Sequence, residues 1–159
     1  MNFTETISDL DNLVAHKTAW DGSKYEKIKL STLTARGSWG EQLLCKILGL
    51  KDLVATIHQH GRGGYDVEAP GQRIEAKLAT QDTGGSFQFN GIDTERDFDS
   101  GFLLGVTPNE LYFLLLPKNR LNTWVSPDGG FKKWTLKPIQ MVKLTEENFW
   151  AAWAALNAG

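Results

Sequence analysis

Residues 64–80, GYDVEAPGQRIEAKLAT, predict two short strands on either side of a turn centred on Pro70-Gly71. Pairing that is symmetric about this turn places Asp66 opposite Glu75, and side-chain alternation places Lys77 on the same face as Glu75. A loop with an odd number of residues would shift this register. The other face of the second strand receives apolar side chains: Ile74, Ala76 and Leu78.

Two carboxylates that face each other across paired strands repel, and a bound divalent cation removes that repulsion. Mg²⁺ prefers oxygen ligands and retains several water molecules, so Asp66, Glu75 and the backbone carbonyl of Ala76 form a suitable set of protein ligands. Lys77 is then placed to orient or deprotonate a metal-bound water that attacks a phosphodiester, and to stabilise the developing charge. The hairpin predicts metal-assisted hydrolysis. A solvated face carrying a Glu75–Lys77 ion pair is the alternative.

The sequence around the hairpin predicts helices, then strands, then a closing helix. An acidic helix is expected at about Thr4–Ala15, and a second helix at Ser38–Leu50, where apolar residues recur every three or four positions. A final helix is expected at about Glu146–Asn157, capped by Thr145. Further strands are expected at 54–57, 86–89, 101–106 and 111–116. This order indicates a single α/β (α+β) domain, 1–159, around one mixed sheet.

The composition is typical of one globular domain, with 159 residues, 41% hydrophobic and 23% charged. The longest apolar run, Leu111–Pro117, is too short for a membrane span. Cys45 is the one cysteine, which excludes an internal disulfide framework and a multi-cysteine zinc site. The expectation is a cytoplasmic protein that does not associate with a membrane.

The hairpin follows a predicted helix that bears Gly37, Gly40 and Glu41. Together with Asp66 and, after eight further residues, Glu75-Ala76-Lys77, this helix resembles the PD-(D/E)xK, or restriction-endonuclease-like, nuclease superfamily. The resemblance covers about residues 36–116. Tyr65 stands where the family motif usually has a proline, a position that varies within the superfamily.

This resemblance implies a restriction-endonuclease-like core, in which a central mixed sheet is flanked by helices. It implies Mg²⁺-dependent cleavage of DNA, with Mn²⁺ as a substitute, and catalytic roles for Asp66, Glu75 and Lys77. Glu41 corresponds to the acid that many members carry on the first core helix. The residues leave a second interpretation of Glu41 open, because Ser38-Trp39-Gly40-Glu41 fits a capping box in which Glu41 binds the Ser38 backbone N–H.

Candidate DNA contacts lie outside the hairpin. Gln88 and Asn90 are expected on one face of a strand, where amides can read adenine edges; an ordinary half-buried strand is the alternative. The segment 117–143 is interpreted as an irregular, basic loop region, and five of its cations are candidate phosphate contacts; a merely solvated loop is the alternative. These five are Lys118, Arg120, Lys132, Lys133 and Lys137. Arg62, in the glycine-rich loop before the hairpin, is a further candidate.

The net charge of −2 conceals an uneven distribution. Residues 16–63 carry eight basic and four acidic groups, and residues 117–143 carry six basic groups and one acidic group. Residues 64–100, which contain the hairpin, carry three basic and eight acidic groups. An acidic centre that binds cations, between two basic stretches, is compatible with a metal-dependent nuclease whose DNA binding weakens with salt.

The first functional hypothesis is a sequence-specific endonuclease of restriction type that cleaves double-stranded DNA. Symmetric cutting of both strands requires two sites related by a twofold axis, so a homodimer or a higher homo-oligomer is expected. Two enzymes of the same fold are alternatives: a structure-specific nuclease, since the motifs are similar to those of Holliday junction resolvases, and a homing endonuclease. A non-catalytic DNA-binding module is the alternative from another class.

Overall fold

The architecture is that of a computed structural model, which describes residues 2–7, 18–58, 64–121 and 133–158. Arg62, Lys132 and most of the predicted first helix lie outside the described residues. None of the helices in these ranges combines the length and the apolarity needed to cross a bilayer.

The described elements are three helices, then eight strands, then a closing helix. Residues 3–7 are helical (α1). They are followed by α2 Glu26–Leu30, α3 Leu33–Gly49, β1 Thr56–Ile57, β2 Val67–Ala69, β3 Gln72–Thr80, β4 Phe87–Phe89, β5 Ser100–Val106, β6 Leu111–Pro117, β7 Trp134–Leu136, β8 Val142–Lys143 and α4 Glu146–Ala158. Single 3₁₀ turns occur at Lys118–Arg120 and Pro138–Gln140.

Six of these strands form one mixed sheet in the order β1-β2-β3-β5-β6-β8. β3 and β5 are parallel, and the other neighbours are antiparallel. β5 is buried along its whole length, because β3 and β6 flank it and both faces of the sheet are covered. Its nearly continuous apolar sequence follows from that position. The predicted α+β class with a central mixed sheet is confirmed.

The two faces of this sheet are covered by different kinds of structure. α3 and α4 pack on one face through buried side chains that include Leu44 and Phe149. The other face is covered by the connection 81–99 and by a second sheet, in which β4 pairs with β7. A connection between parallel strands is usually a helix; here it carries β4. The resemblance implied helices flanking the sheet, whereas the structure places α3 and α4 on a single face.

The helix predicted at Ser38–Leu50, which is α3 in the structure, begins earlier than the sequence pattern predicted. Thr32 is its N-cap, and the Thr32 Oγ1 accepts a hydrogen bond from the Ala35 N–H at 3.1 Å. Ser38 therefore lies inside α3, where its Oγ accepts from the Gln42 Nε2 at 3.1 Å. The predicted capping box at Ser38 is wrong. Threonine and glycine in the first turns, with low helix propensity, obscured the true start.

The interpretation of 117–143 as wholly irregular is also wrong. β7 pairs with β4, and β8 pairs with β6. These strands have three and two residues, which is too short for a detectable alternation of apolar and polar residues. Their pairing partners, more than 25 residues earlier in the chain, determine that they form at all.

The true cap of α3 leads to a stability prediction. Thr32→Ala is expected to lower the free energy of unfolding by about 1 kcal/mol, because it removes the acceptor of an otherwise unsatisfied helix N–H. Ser38→Ala, in the helix interior, is the matched control and is expected to change it by less than about 0.5 kcal/mol. Urea unfolding of both variants measures the difference. Equal losses would contradict the assignment of Thr32 as the cap.

Candidate functional site

Within its paired strands, the hairpin has the register that the sequence predicted. β2 and β3 pair about the Pro70-Gly71 turn with Val67 opposite Ile74. Asp66 precedes β2 and lies outside the paired residues, and its N–H donates at 2.9 Å to the carbonyl of Ile74, the residue already paired with Val67. The predicted pairing of Asp66 with Glu75 is therefore not part of the observed register. The carboxylate of Asp66 is held on β3, since the Asp66 Oδ2 accepts a hydrogen bond from the Ala76 N–H at 2.9 Å.

Glu75 and Lys77 lie on the face of β3 that is turned away from α3. The Lys77 Nζ is 3.4 Å from the Glu75 Oε1, so the ion pair of the alternative interpretation is present. The Glu75 side chain, however, is only 5% exposed, and that of Lys77 is 28% exposed. The face is therefore not solvated at Glu75, and the pair lies beside the connection 81–99 rather than in open water.

The second carboxylate oxygen of Glu75 has no partner. The Glu75 Oε2 is buried and accepts no hydrogen bond within the part of the chain that the structure describes. Burial and, after it, the charge of Asp66 raise the pKa of Glu75 to about 7, against the opposing effect of Lys77 and Arg96. A buried acceptor without a donor is costly and uncommon in folded proteins. Such an oxygen beside a second carboxylate is suited to a cation.

The donor set fits a hydrated hard cation better than a closed protein cage. Among the described residues, no group of three or more His, Cys, Asp or Glu side chains is arranged to hold a metal. At the hairpin, the side chains that could bind a cation are those of Asp66 and Glu75. One or two carboxylates are the usual protein contribution to Mg²⁺, which keeps several of its waters. The unpartnered oxygen of Glu75 is the observation that favours this fit.

Glu41 is buried on α3, at 7% exposure. The preceding Gly40 packs on the sheet, where a Cβ atom would lie 3.5 Å from the Leu78 Cδ1. Glu41 also lies near Cys45, one turn further along α3, since burial and then the Glu41 charge raise the pKa of that thiol. Glu41 is thus on the helix that covers the face opposite Glu75. Its catalytic role stays a prediction.

The two amides predicted to contact DNA share one side of β4. Phe87 and Phe89 are buried, whereas Gln88 is half-buried and Asn90 is exposed. The predicted alternation is therefore confirmed.

The predicted phosphate contacts are distributed more widely. Arg120 and Lys133 are exposed. Lys118 is partly engaged within the protein, because its ammonium group donates to the Arg96 carbonyl and lies 4.7 Å from the centroid of the Phe98 ring. The DNA contacts of these cations stay predictions.

Two residues near the carboxylates were missed by sequence reasoning. The chain passes close to Lys77 at Gly91, where a Cβ atom would lie 3.7 Å from the Lys77 Nζ. Arg96, in the same connection, is close enough that its charge lowers the pKa of Glu75. The sequence contains no signal for either contact, because both residues lie in an irregular connection whose path depends on the packing of β4.

An ion-pair clamp fixes the connection that carries Arg96. The Arg73 guanidinium lies 2.7 Å from the Asp97 carboxylate and 3.1 Å from that of Asp99. Gly64, two residues before Asp66, packs so closely here that a Cβ atom would lie 2.4 Å from the Asp97 backbone nitrogen. The loop before Asp66 and the loop after Arg96 are therefore held against each other.

The chain matches no protein-family model, and no curated protein is a significant match in sequence. The function of the site is consequently inferred from its own residues. These place a fixed carboxylate (Asp66), a buried carboxylate with an unpartnered oxygen (Glu75) and an ammonium group (Lys77) on one hairpin.

Proposed function

We propose that the protein is a Mg²⁺-dependent endonuclease that hydrolyses phosphodiester bonds in double-stranded DNA. The observation that supports this most is the buried, unpartnered Oε2 of Glu75, on a hairpin shared with Asp66 and Lys77. A purely structural ion pair has no need for a carboxylate whose second oxygen lacks a donor. A site that receives a cation does.

Each of the three side chains has a separate role in this proposal. Asp66 and Glu75 would hold Mg²⁺, which when bound supplies an activated water and stabilises charge on the phosphate. The Ala76 N–H fixes the orientation of Asp66 before any ligand arrives. Lys77 carries its positive charge to within 3.4 Å of Glu75, next to the place where negative charge develops during attack.

DNA is the proposed substrate because cations outside the hairpin are exposed while the hairpin itself is acidic. Arg120, Lys133 and Lys137 are exposed on the described surface. Cations of this kind bind phosphates along a duplex without regard to sequence. We further propose a homodimer of restriction type in the cytoplasm, because cutting both antiparallel strands symmetrically requires two sites related by a twofold axis.

The test is incubation of the purified protein with supercoiled plasmid and, separately, with a four-way DNA junction. The reactions contain Mg²⁺, Mn²⁺ or EDTA. Discrete plasmid fragments that require the metal are expected. Cleavage confined to the junction would replace the restriction-type activity by a structure-specific one. If neither substrate is cut with either metal, the nuclease proposal is wrong.

The control for this assay is Glu68→Gln. Glu68 is an exposed carboxylate on the same hairpin, opposite Arg73 and outside the proposed site. This variant is expected to cleave at the wild-type rate. Loss of cleavage in Glu68→Gln would show that general charge on the hairpin, rather than the Asp66–Glu75 pair, supports the reaction.

A further inference from the structure

The second sheet of the protein is a two-stranded ribbon with one buried and one outward side. In this β4–β7 ribbon, Gln88 lies directly opposite Thr135. The inward side chains are apolar and belong to the core: Phe87, Phe89 and Leu136 are at most 4% exposed. The ribbon is therefore fixed to the main sheet through one side only.

The outward side of the ribbon is polar and basic. On β7 and at its two ends, alternate residues are exposed: Lys133, Thr135 and Lys137. On β4 and just after it, the outward residues are Gln88 and Asn90. Cations at both ends of a strand, with a hydroxyl and amides between them, are the groups that contact phosphates and base edges in DNA.

The amide of Gln88 is held in one orientation. Its Nε2 donates to the Asp82 Oδ2 at 3.1 Å, and its Oε1 accepts from the Thr135 Oγ1 at 2.5 Å. Asp82 is itself fixed, because its Oδ1 accepts from the Ser86 N–H at 2.9 Å. An amide has two N–H donors and two acceptor lone pairs, so Gln88 keeps one of each. That pair matches the major-groove edge of adenine.

The ribbon ends beside the candidate site. Gly91, two residues after β4, is the residue whose Cβ would lie 3.7 Å from the Lys77 Nζ. A substrate whose phosphate reaches Lys77 therefore passes the end of the ribbon. The major groove of B-form DNA admits a two-stranded ribbon, whereas the major groove of A-form RNA is too deep and narrow. Duplex DNA is the partner that this shape favours.

We propose that the outward side of the β4–β7 ribbon enters the major groove of the substrate duplex, where Gln88 reads adenine. Asp82 and Thr135 act as positioning residues for its amide, and Lys133 and Lys137 contact the flanking phosphates. A side chain that is ordered before binding loses less conformational entropy when it binds. This inference rests on the proposed function, since it assigns the specificity of the same enzyme.

The test is a binding selection from a random-sequence duplex library in Ca²⁺, a hard cation with oxygen ligands, followed by sequencing of the bound fraction. Wild-type protein is expected to enrich sequences with a fixed adenine. In Gln88→Met, which keeps the length of the side chain and removes its amide, preference for that adenine is expected to fall about 10- to 100-fold. Thr135→Val is expected to weaken the same preference, because it removes the hydroxyl that holds the Gln88 amide.

The control is Gln42→Ala, which removes an exposed amide on α3 that also makes a side-chain hydrogen bond. It is expected to select the wild-type sequences. Base preference is a ratio among bound molecules, so partial unfolding of a variant cannot imitate its loss. The proposal is overturned if wild-type protein binds no duplex or enriches no sequence, or if Gln88→Met selects the wild-type sequences.

The lysines are tested by the salt dependence of affinity. Lys133→Ala and Lys137→Ala are each expected to weaken binding to all sequences equally and to reduce the slope of log affinity against log salt by about one. An unchanged slope in both variants would contradict their phosphate contacts.

If Gln88-dependent selection is found without any cleavage in Mg²⁺, the ribbon inference holds and the nuclease proposal fails. If DNA is cleaved in Mg²⁺ and the sequences at the cut ends are the same for the wild type and for Gln88→Met, the nuclease proposal holds and the ribbon inference fails.

Discussion

Lys77→Ala is expected to lower the single-turnover rate of DNA cleavage in saturating Mg²⁺ by about 10²- to 10³-fold. The reason is the position of the ammonium group, 3.4 Å from the Glu75 Oε1 and 28% exposed. At this partly dehydrated place a positive charge stabilises a transition state more strongly than it would in water. Removal of one such stabilising group typically costs this much in rate.

The assay is performed at about pH 8.5, because the substitution acts on Glu75 as well. The Lys77 charge lowers the pKa of Glu75, so its removal raises that pKa above the value of about 7 in the wild type. At lower pH the variant would lose part of its Mg²⁺ ligand set by protonation. Titration of Mg²⁺ separates the two effects: loss of rate at saturation reports on Lys77 itself.

Lys143→Ala is the matched control. Lys143 also pairs with a carboxylate, Glu110, at 3.1 Å, but its side chain is 56% exposed and lies on β8. We expect it to cleave at the wild-type rate. The role of Lys77 would be refuted by a folded Lys77→Ala protein that cleaves within a few-fold of the wild type, with folding verified by its unfolding transition.

Local patterns explain which parts of the fold could be predicted. The register of the β2–β3 hairpin follows from a turn and from alternation within a short stretch, so both signals lie close together in the sequence. The same holds for the cap of α4, where the Thr145 Oγ1 accepts from the Asn148 N–H at 3.1 Å. Features of this kind depend on neighbouring residues, and the sequence contains those neighbours.

Features that depend on distant residues were missed. β7 forms because Gln88, far earlier in the chain, lies opposite Thr135. The burial of Glu75 has the same origin, since β4 and its connection cover that face of β3. The hairpin sequence predicted two carboxylates in facing register. It could not predict that one of them would be dehydrated, which is the property that most favours a cation site.

Glu41 illustrates a failure of a different kind. The capping interpretation of this residue depended on a helix that starts at Ser38, and the structure starts α3 at Leu33. With five more residues at its start, α3 carries Glu41 in its third turn, where the side chain is buried. A helix boundary is a weak signal in sequence because several residues can cap it. The observed start of α3 therefore excludes the predicted capping role of Glu41 and leaves its catalytic role untested.

Glu75→Gln is expected to stabilise the metal-free protein at neutral and alkaline pH. The pKa of Glu75 is raised from 4.5 to about 7 in the folded state, so the folded protein retains a proton that the unfolded chain releases. The contribution of Glu75 to stability is then fully present below pH 4.5 and is lost as the pH rises through about 7. A shift of this size corresponds to about 3 kcal/mol lost above that range. Glutamine has the same shape and no charge to bury.

The measurement is urea unfolding in EDTA across that pH range. The variant is expected to exceed the wild type by about 2–3 kcal/mol at about pH 8, and the difference is expected to disappear near pH 4.5. Glu68→Gln, exposed on the same hairpin, is the control and is expected to differ from the wild type by less than about 0.5 kcal/mol throughout. A pH-independent difference between Glu75→Gln and the wild type would contradict the burial of a charged Glu75.

Mg²⁺ should reverse this order of stability if Glu75 is a metal ligand. A cation that binds the folded state alone stabilises it in proportion to the logarithm of its concentration above Kd. Addition of Mg²⁺ at about pH 8 is therefore expected to raise the unfolding free energy of the wild type and to leave that of Glu75→Gln almost unchanged. The cost of burying the Glu75 charge would then be offset only in the metal-bound protein. Stability gained on substitution and activity lost with it would have one cause, the unpartnered oxygen of Glu75.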